Sequence, residues 1–527
     1  MMAMLRLAGS LATAGLLYVS FAPVEYGTAA WFALIPLMLV CFFNKPRNSF
    51  AYGYVSGLIF WLLSLFWLNH VAVAGWFALS AYCAVYFGAA AFLISWLAEL
   101  HSVRSSYKNM ALLFAIPVLW VGLEWIRGVL ATGFPWNDIG VSQYKSLPII
   151  QLAEFGGVHL VSFLVVMVNA GIALTIARYC CYKRFRYRPP HIEIMTAALV
   201  MALFGSLGAR LMAVHRPSGK TLSIALVQPN VPQVLKWSDS FMNTIYDRLK
   251  TGTLAALGDG DSDLIVWPET ALPDFLMDSP RSQMFTAKLA SHGTPILVGG
   301  MDVRWNDVEP RFFNSSFLWE TGTGVAQQYD KCHLVLFGEY VPFEKYLPFV
   351  NALTPIDGSF DSGDTNKVFV LPDTGVRFST LICFEDIIPA LARHSVRNGA
   401  QFLVNQTNDG WFDGSAASRQ HMAHCVFRCV ETRVPAVRSA NTGITCFIDR
   451  TGRVYGALRA GPGAPESFFS RQVIHLPDAG SELTFYVKHG PLLGSVSAVF
   501  VLLSFVFFFK MKLSSRNKDL CNDGNSG

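Results

Sequence analysis

The spacing of apolar residues constrains this chain more than any other feature. Seven apolar stretches, near 7–23, 28–44, 51–70, 76–99, 109–129, 158–177 and 193–213, precede a more polar region, and an eighth runs from Leu492 to Phe509. Each is close to the roughly 20 residues that cross a bilayer. In hydrocarbon such a stretch must satisfy its backbone polar groups internally, which a helix does. The expectation is eight transmembrane helices. Composition agrees: 52% hydrophobic and only 15% charged residues, with a mean hydropathy of +0.38, lie outside the range of an ordinary soluble enzyme. Arg6 ahead of the first stretch resembles a secretory leader. Six further stretches and the lack of a small-residue cleavage site favour an uncleaved span.

Charge in the connecting loops orients the spans. Lys45 and Arg47 lie between the second and third, and Arg104 and Lys108 between the fourth and fifth. Arg178, Lys183, Arg184, Arg186 and Arg188 crowd the loop between the sixth and seventh, and Lys510, Lys512, Arg516 and Lys518 follow the eighth. Basic loops stay on the cytoplasmic side. One more span then separates 178–188 from residues 215–489, placing that region on the opposite side. The loop from Arg127 to Gly157, with Phe134-Pro135-Trp136-Asn137-Asp138, falls on the same outer side. It either lines the mouth of the outer domain or holds aromatics at headgroup level. The division expected is 1–214 for the membrane part, 215–489 for the outer domain, and 490–527 for a last span and a tail.

From Thr221 the periodicity changes. Ser223–Gln228, Asp263–Trp267, Pro295–Gly299, Phe313–Trp319 and Val325–Tyr329 read as strands, followed by Phe378–Ile382, Gln401–Asn405, Ala436–Ala440 and Ile444–Asp449. Helix-length segments at 239–257, 280–292, 387–398 and 415–432 alternate with them, which argues a layered α/β domain. Ten cysteines without regular spacing suggest no disulfide framework.

Three chemically active side chains fall at strand ends: Glu269 after Trp267-Pro268, Lys331 after Tyr329-Asp330, and Cys383 after Leu381-Ile382. Singly, each is as compatible with a solvated turn, a surface charge or a buried thiol. Together they suit acyl chemistry. A carboxylate takes the thiol proton, the sulfur attacks a carbonyl, and an ammonium with backbone N–H groups holds the oxyanion.

Trp267-Pro268-Glu269, Asp330-Lys331-Cys332-His333-Leu334, Phe337-Gly338-Glu339-Tyr340-Val341-Pro342 and Leu381-Ile382-Cys383-Phe384-Glu385 resemble, in order, the motifs of the nitrilase superfamily. Asn408-Asp409-Gly410-Trp411-Phe412 and Asn441-Thr442-Gly443-Ile444-Thr445 extend the likeness. A nitrilase-like domain with seven spans before it and one after resembles the bacterial apolipoprotein N-acyltransferase family, over nearly the whole chain. The resemblance implies an αββα sandwich and no cofactor or metal. It implies Cys383 as nucleophile, Glu269 as general base and Lys331 as oxyanion stabiliser, with Glu339, Glu385 and Trp237 in support. It also implies a phospholipid acyl donor such as phosphatidylethanolamine and a diacylated apolipoprotein acceptor. The expected setting is the bacterial inner membrane, with the domain in the periplasm. The family usually has Tyr after the nucleophile. Here it is Phe384, so no role of that hydroxyl carries over.

Other features have competing readings. The apolar, irregular stretch from Leu336 to Asp364, including Tyr340, Phe343, Tyr346, Leu347, Phe349, Val350, Leu353 and Ile356, reads as a mobile lid dipping toward lipid, or as a loop packed on the core. His421, Cys425 and Cys429 share a helix face with metal-like spacing, though a packed helix explains them as well. Cys332 is a second thiol near Lys331, and Cys180 and Cys181 read as bystanders. An amidase tethered to the membrane and an inactive lipid binder are the rival functions.

Overall fold

A computed structural model describes the chain except residues 1, 102–105, 182–190, 217–218, 237, 239, 306–308, 341–358, 413, 460–467, 479 and 524–527. Trp237 and most of the 336–364 stretch, the expected lid, therefore lie outside the described residues, as do Lys183, Arg184, Arg186 and Arg188 of the basic loop.

Among the described residues, six helices are long and apolar enough to cross a membrane: Met2–Ser20, Val73–His101, Tyr107–Thr132, Val158–Cys181, Ile192–Val214 and Leu492–Ser514. The other two expected spans look different. The 28–44 stretch is broken into short helical pieces, Ala30–Ala33 and Ile35–Phe42, with Pro36 at the start of the second. A break inside an apolar layer leaves backbone donors to satisfy. The Leu34 N–H is met by the Asn169 side chain (2.9 Å) and the Leu37 N–H by Thr13 (3.1 Å). The 51–70 stretch begins earlier than expected, as the helix Pro46–Ser64, whose serines, glycines and tyrosines keep it less apolar than the six.

That composition has a packing reason. A Cβ on Gly53 would sit 2.5 Å from the Ala91 Cβ and 2.6 Å from the Phe87 carbonyl, so helices 46–64 and 73–101 meet backbone to backbone. Close approach through small residues four apart is how helices associate where hydrophobic exclusion gives no drive.

Among the described residues, the α/β domain (the expected outer domain) has two six-stranded sheets. Strands β1 (Thr221–Val227), β2 (Leu264–Val266), β3 (Ile296–Trp305), β4 (Pro310–Glu320) and β5 (Gly324–Asp330) form the first, with β12 (Phe469–His475) beside β1. The second runs in the order β11 (Val454–Arg459), β10 (Ile444–Ile448), β9 (Ala436–Ala440), β8 (Phe402–Thr407), β7 (Arg377–Ile382) and β6 (Phe369–Val370). The middle strands, β1-β2-β3 and β7-β8-β9, are parallel. The short β6 and the pair β11 and β12 escaped the sequence reading.

Alternation along each strand sets the layers. Leu222, Ile224 and Leu226 of β1 point to the second sheet and pack in one cluster with Phe378, Phe402 and Val404. Ala225 and Val227 point outward onto Ile245 and Leu249 of the helix Met242–Asp259. On the outer face of the second sheet lie helices Pro389–Arg397 and Ala417–Thr432, sharing one core with the membrane helices. The arrangement is a helix–sheet–sheet–helix sandwich resting on the membrane part.

Helix 417–432 is the joint, and every residue of it except Arg419 is buried. Its Gln420 accepts from the indole N–H groups of Trp67 (3.1 Å) and Trp136 (2.8 Å) and donates to the Ala22 and Ser64 carbonyls. Glu431 accepts from the Val158 N–H, and Arg433 just beyond the helix reaches Glu154 and Gln151. The loop containing Trp136 therefore sits under the outer domain rather than at free headgroup level.

Gly53→Leu should force helices 46–64 and 73–101 apart at a cost of about 1–3 kcal/mol. The thermal midpoint of the purified chain in detergent should fall clearly, while Gly15→Ala, where a Cβ meets nothing within 4 Å, should not lower it.

Candidate active site

Strand β7 delivers Cys383 at an abrupt bend. Its φ is +51°, in the left-handed region that side chains other than glycine rarely occupy, and a short 3-10 helix, Cys383–Ile387, begins there. Strain of this kind persists only where surrounding bonds over-determine it. The Cys383 carbonyl accepts from the Asn405 side chain (3.1 Å) and lies 3.2 Å from His421 Nε2. The Thr407 hydroxyl donates to its sulfur at 3.4 Å.

Beneath the bend lies a buried ionic cluster. His421 sits between Asp386 (2.6 Å) and Asp409 (3.3 Å), and the Arg438 guanidinium donates to both carboxylates and to Asn405 Oδ1 (2.6 Å). Burial and Arg438 push the imidazole down, but the two carboxylates hold it above its ordinary value. These contacts, rather than a metal-like ligand set, engage His421. Cys425 and Cys429 lie fully inside the protein.

Glu385 ties this bend to the end of β5. Fully buried, it accepts from the Ile382, Cys332 and His333 amides (2.7, 2.8 and 3.0 Å) and the Tyr329 hydroxyl (2.9 Å). It braces two turns, and its hydrogen bonds go to these groups rather than to the Cys383 sulfur. Cys332 is held by the same brace, and burial raises its thiol to about 11.

Lys331, 1% exposed, donates to Glu339 Oε1 at 2.7 Å and lies 3.8 Å from Glu269 Oε1. Burial works against its charge, yet Glu339 and then Glu269 hold the ammonium well above its usual value. Glu269 is fixed by the Asn314 side chain at 2.7 Å. It follows β2, and the next residue, Thr270, also has a positive φ of +43°. Strand β3 passes so close that a Cβ on Gly299 would strike the Pro268 carbonyl oxygen and come within 2.8 Å of the Glu269 Cα. Only glycine lets β3 support this turn.

Glu269, Lys331, Glu339 and Cys383 open onto one cavity of about 470 Å³. The rest of its lining is largely apolar and comes from both parts: Val71, Ala78, Leu79, Tyr82, Phe134 and Trp136 from the membrane part, and Leu334, Val335, Leu336, Phe337 and Phe412 from the α/β domain. Phe384 stacks between the rings of Phe134 (6.3 Å), Trp136 (6.2 Å) and His333 (6.1 Å). A ring without a hydroxyl suits that apolar stack.

Residues 13–171 match the Apolipoprotein N-acyltransferase N-terminal domain family, and residues 223–463 match the Carbon-nitrogen hydrolase family. The chain is 38% identical over 480 residues to an apolipoprotein N-acyltransferase of Geobacter metallireducens, covering 86% of this chain and 89% of that one. The chain belongs to the apolipoprotein N-acyltransferase family. A Chlorobaculum tepidum member is 29% identical over 92% of both chains. Among solved structures, Saccharomyces cerevisiae Nit3, of the nitrilase superfamily, aligns with 49% of this chain and 93% of its own at 17% identity and a TM-score of 0.35.

Of the residues the family resemblance singles out, the structure brings Glu269, Lys331, Glu339 and Cys383 to one cavity and places Glu385 behind it. Sequence reasoning missed Thr407, Asn314, Asp386, Arg438 and Lys236. Asp409 stands inside a quoted motif and Asp386 directly after one, but their partner Arg438 is 29 residues beyond Asp409, and only sheet register brings them together. Lys236, almost fully buried, donates to Thr270 Oγ1 (2.5 Å) beside Glu269, and burial lowers its ammonium to about 8.

Burial and then the Glu269 carboxylate raise the Cys383 thiol well above its ordinary range, and the opposing pull of Lys331 does not reverse this. A raised pKa keeps the proton on sulfur as pH rises. The thiolate absorbance difference between wild type and Cys383→Ser should stay flat between about pH 6 and 9, and a step inside that window would contradict this protonation state. Gly299→Ala should displace Glu269 and lower turnover by roughly tenfold or more, measured as rate, with lipid binding retained.

Proposed function

We propose that this chain is a phospholipid:apolipoprotein N-acyltransferase working through a Cys383 thioester. One observation carries the reading. The cavity holding Glu269, Lys331 and Cys383 has apolar walls, to which the membrane part contributes Val71, Leu79, Phe134 and Trp136, and this suits substrates carrying acyl chains and excludes water from a thioester.

Glu269 takes the Cys383 proton as Sγ attacks the sn-1 ester carbonyl of a phospholipid, phosphatidylethanolamine being our choice of donor. The Lys331 ammonium and the Phe384 backbone N–H stabilise the oxyanion. Collapse returns the proton from Glu269 to the departing lysophospholipid alkoxide and leaves the acyl group on sulfur. The α-amino group of the acceptor's N-terminal S-diacylglyceryl-cysteine then attacks the thioester, Glu269 again moving the proton, and Cys383 leaves as a thiol. Because Cys383 rests protonated, sulfur attack and proton removal have to be coupled, and Glu269 is the carboxylate at hand. Glu339 pairs with Lys331 and keeps it charged. Glu385 is a positioning residue, and Trp237 completes the set carried over from the family. No metal or cofactor takes part in this scheme.

We further propose eight membrane crossings, counting the broken 28–44 segment and helix 46–64 with the six long apolar helices. The parts are then 1–214, 215–489 and 490–527. With seven crossings ahead of it and basic loops on the cytoplasmic side, the outer domain faces the periplasm from the bacterial inner membrane.

Incubated with phosphatidylethanolamine, wild-type protein should gain the mass of one fatty acyl group on the peptide containing Cys383, and Cys383→Ala should gain none. A diacylglyceryl-cysteine peptide should discharge the adduct. Discharge by water alone would indicate a hydrolase, and no adduct on wild type would sink the thioester reading.

A further inference from the structure

A second cavity, about 570 Å³, lies where helix 192–214 enters the outer domain, and shares no lining residue with the one at Cys383. Arg216, Arg450, Arg453 and His475 line it. Three arginines face it against the one carboxylate of Asp449. That carboxylate is engaged within its own turn, accepting from the Thr451 N–H (2.8 Å), the Thr451 hydroxyl (2.6 Å) and the Arg453 N–H (3.0 Å). Arg450 is also committed: it donates to the His215 carbonyl at 3.2 Å and to the Arg216 carbonyl, fixing the chain where it leaves the helix. Among the described residues, neither the Arg216 nor the Arg453 guanidinium forms an ion pair, and both residues are exposed.

The remaining wall is apolar. Pro148, Ala209, Met212 and Ala213 contribute to it. Lower on the helix, Met195 and Leu199 lie within about 40° of Ala213 around the axis and are 65% and 60% exposed. A strip that a lipid tail can follow thus leads to a concavity rimmed by the Arg216 and Arg453 guanidinium groups, which form no ion pair among the described residues. The fork of a guanidinium matches a phosphate oxygen pair, and the volume suits a headgroup with its glycerol.

We propose that this groove docks the phosphodiester of an outer-leaflet phospholipid, as a site separate from the cavity at Cys383. Placement in the outer leaflet rests on the orientation proposed above. Arg216 and Arg453 hold the phosphate, and helix 192–214 carries one acyl chain.

The test uses the full Cys383→Ala chain in nanodiscs, which stops turnover. Phosphatidylethanolamine or phosphatidylglycerol with a photoreactive group near the glycerol is crosslinked and the labelled peptides are mapped. Label should appear on 209–216 and 449–455, and fall by roughly tenfold in Arg216→Ser/Arg453→Ser. Because both side chains are exposed and unpaired, the thermal midpoint should not move; Arg453→Ser alone should show a smaller loss. A diacylglycerol probe lacking phosphate should not label these peptides. Equal labelling by diacylglycerol, or labelling indifferent to the arginines, overturns the proposal. Loss of label on adding millimolar inorganic phosphate, with phosphate itself binding the detergent-solubilised chain, would make free phosphate the ligand and overturn the lipid assignment. Label confined to cavity peptides 130–136 and 383–384 overturns this site while leaving the acyltransferase reading intact. Label at neither place counts against both.

Discussion

The Arg438 guanidinium, wholly buried between Asp386 and Asp409, is the interaction on which the site depends. Asp386 belongs to the short helix that opens at Cys383, Asp409 follows β8, and Arg438 lies on β9. His421, on the helix that joins the domain to the membrane part, closes the cluster. One group of charges therefore locks the Cys383 bend, two adjacent strand ends and the joint helix together. Buried ion pairs add little net stability, but removing one partner strands the others at a cost of about 3–5 kcal/mol. The arrangement is thus all or nothing. That is what a non-glycine residue in a left-handed bend requires.

A second carboxylate set does the same for the opposite side of the cavity. Glu385 collects three amides and a hydroxyl from the β7 and β5 ends, and Glu339 and Glu269 flank the buried Lys331. Each sheet supplies one side of the chemistry: Glu269 and Lys331 come from the first, Cys383 from the second. Reaction geometry therefore follows from how the two sheets pack, through the shared core of Leu226, Val266, Ile382 and Val404.

The membrane part is more than an anchor. Gln420 spends its amide on Trp67, Trp136, Ala22 and Ser64, and Trp136 in turn stacks on Phe384, next to Cys383. The wall of the cavity and the joint are the same aromatic cluster. A tether alone would need no such contact.

What the sequence by itself determined is what local pattern encodes: apolar runs of bilayer length, alternating strands, and short motifs placing Glu269, Lys331, Glu339, Cys383 and Glu385 next to strand ends. Those residues are legible because each motif is contiguous and strand ends are marked by Pro or by carboxylates. Tertiary structure decided the rest. Pro36 broke one expected span because Asn169 and Thr13, far away in sequence, could satisfy the freed amides. His421 sits with carboxylates because Asp386, Asp409 and Arg438 converge only through the register of parallel strands. Thr407 and Lys236 reach the site by the same kind of long-range approach. Period and composition report which face of an element is buried, whereas the partner of a buried polar group is fixed by packing between elements, and one sequence without its contacts carries no record of that.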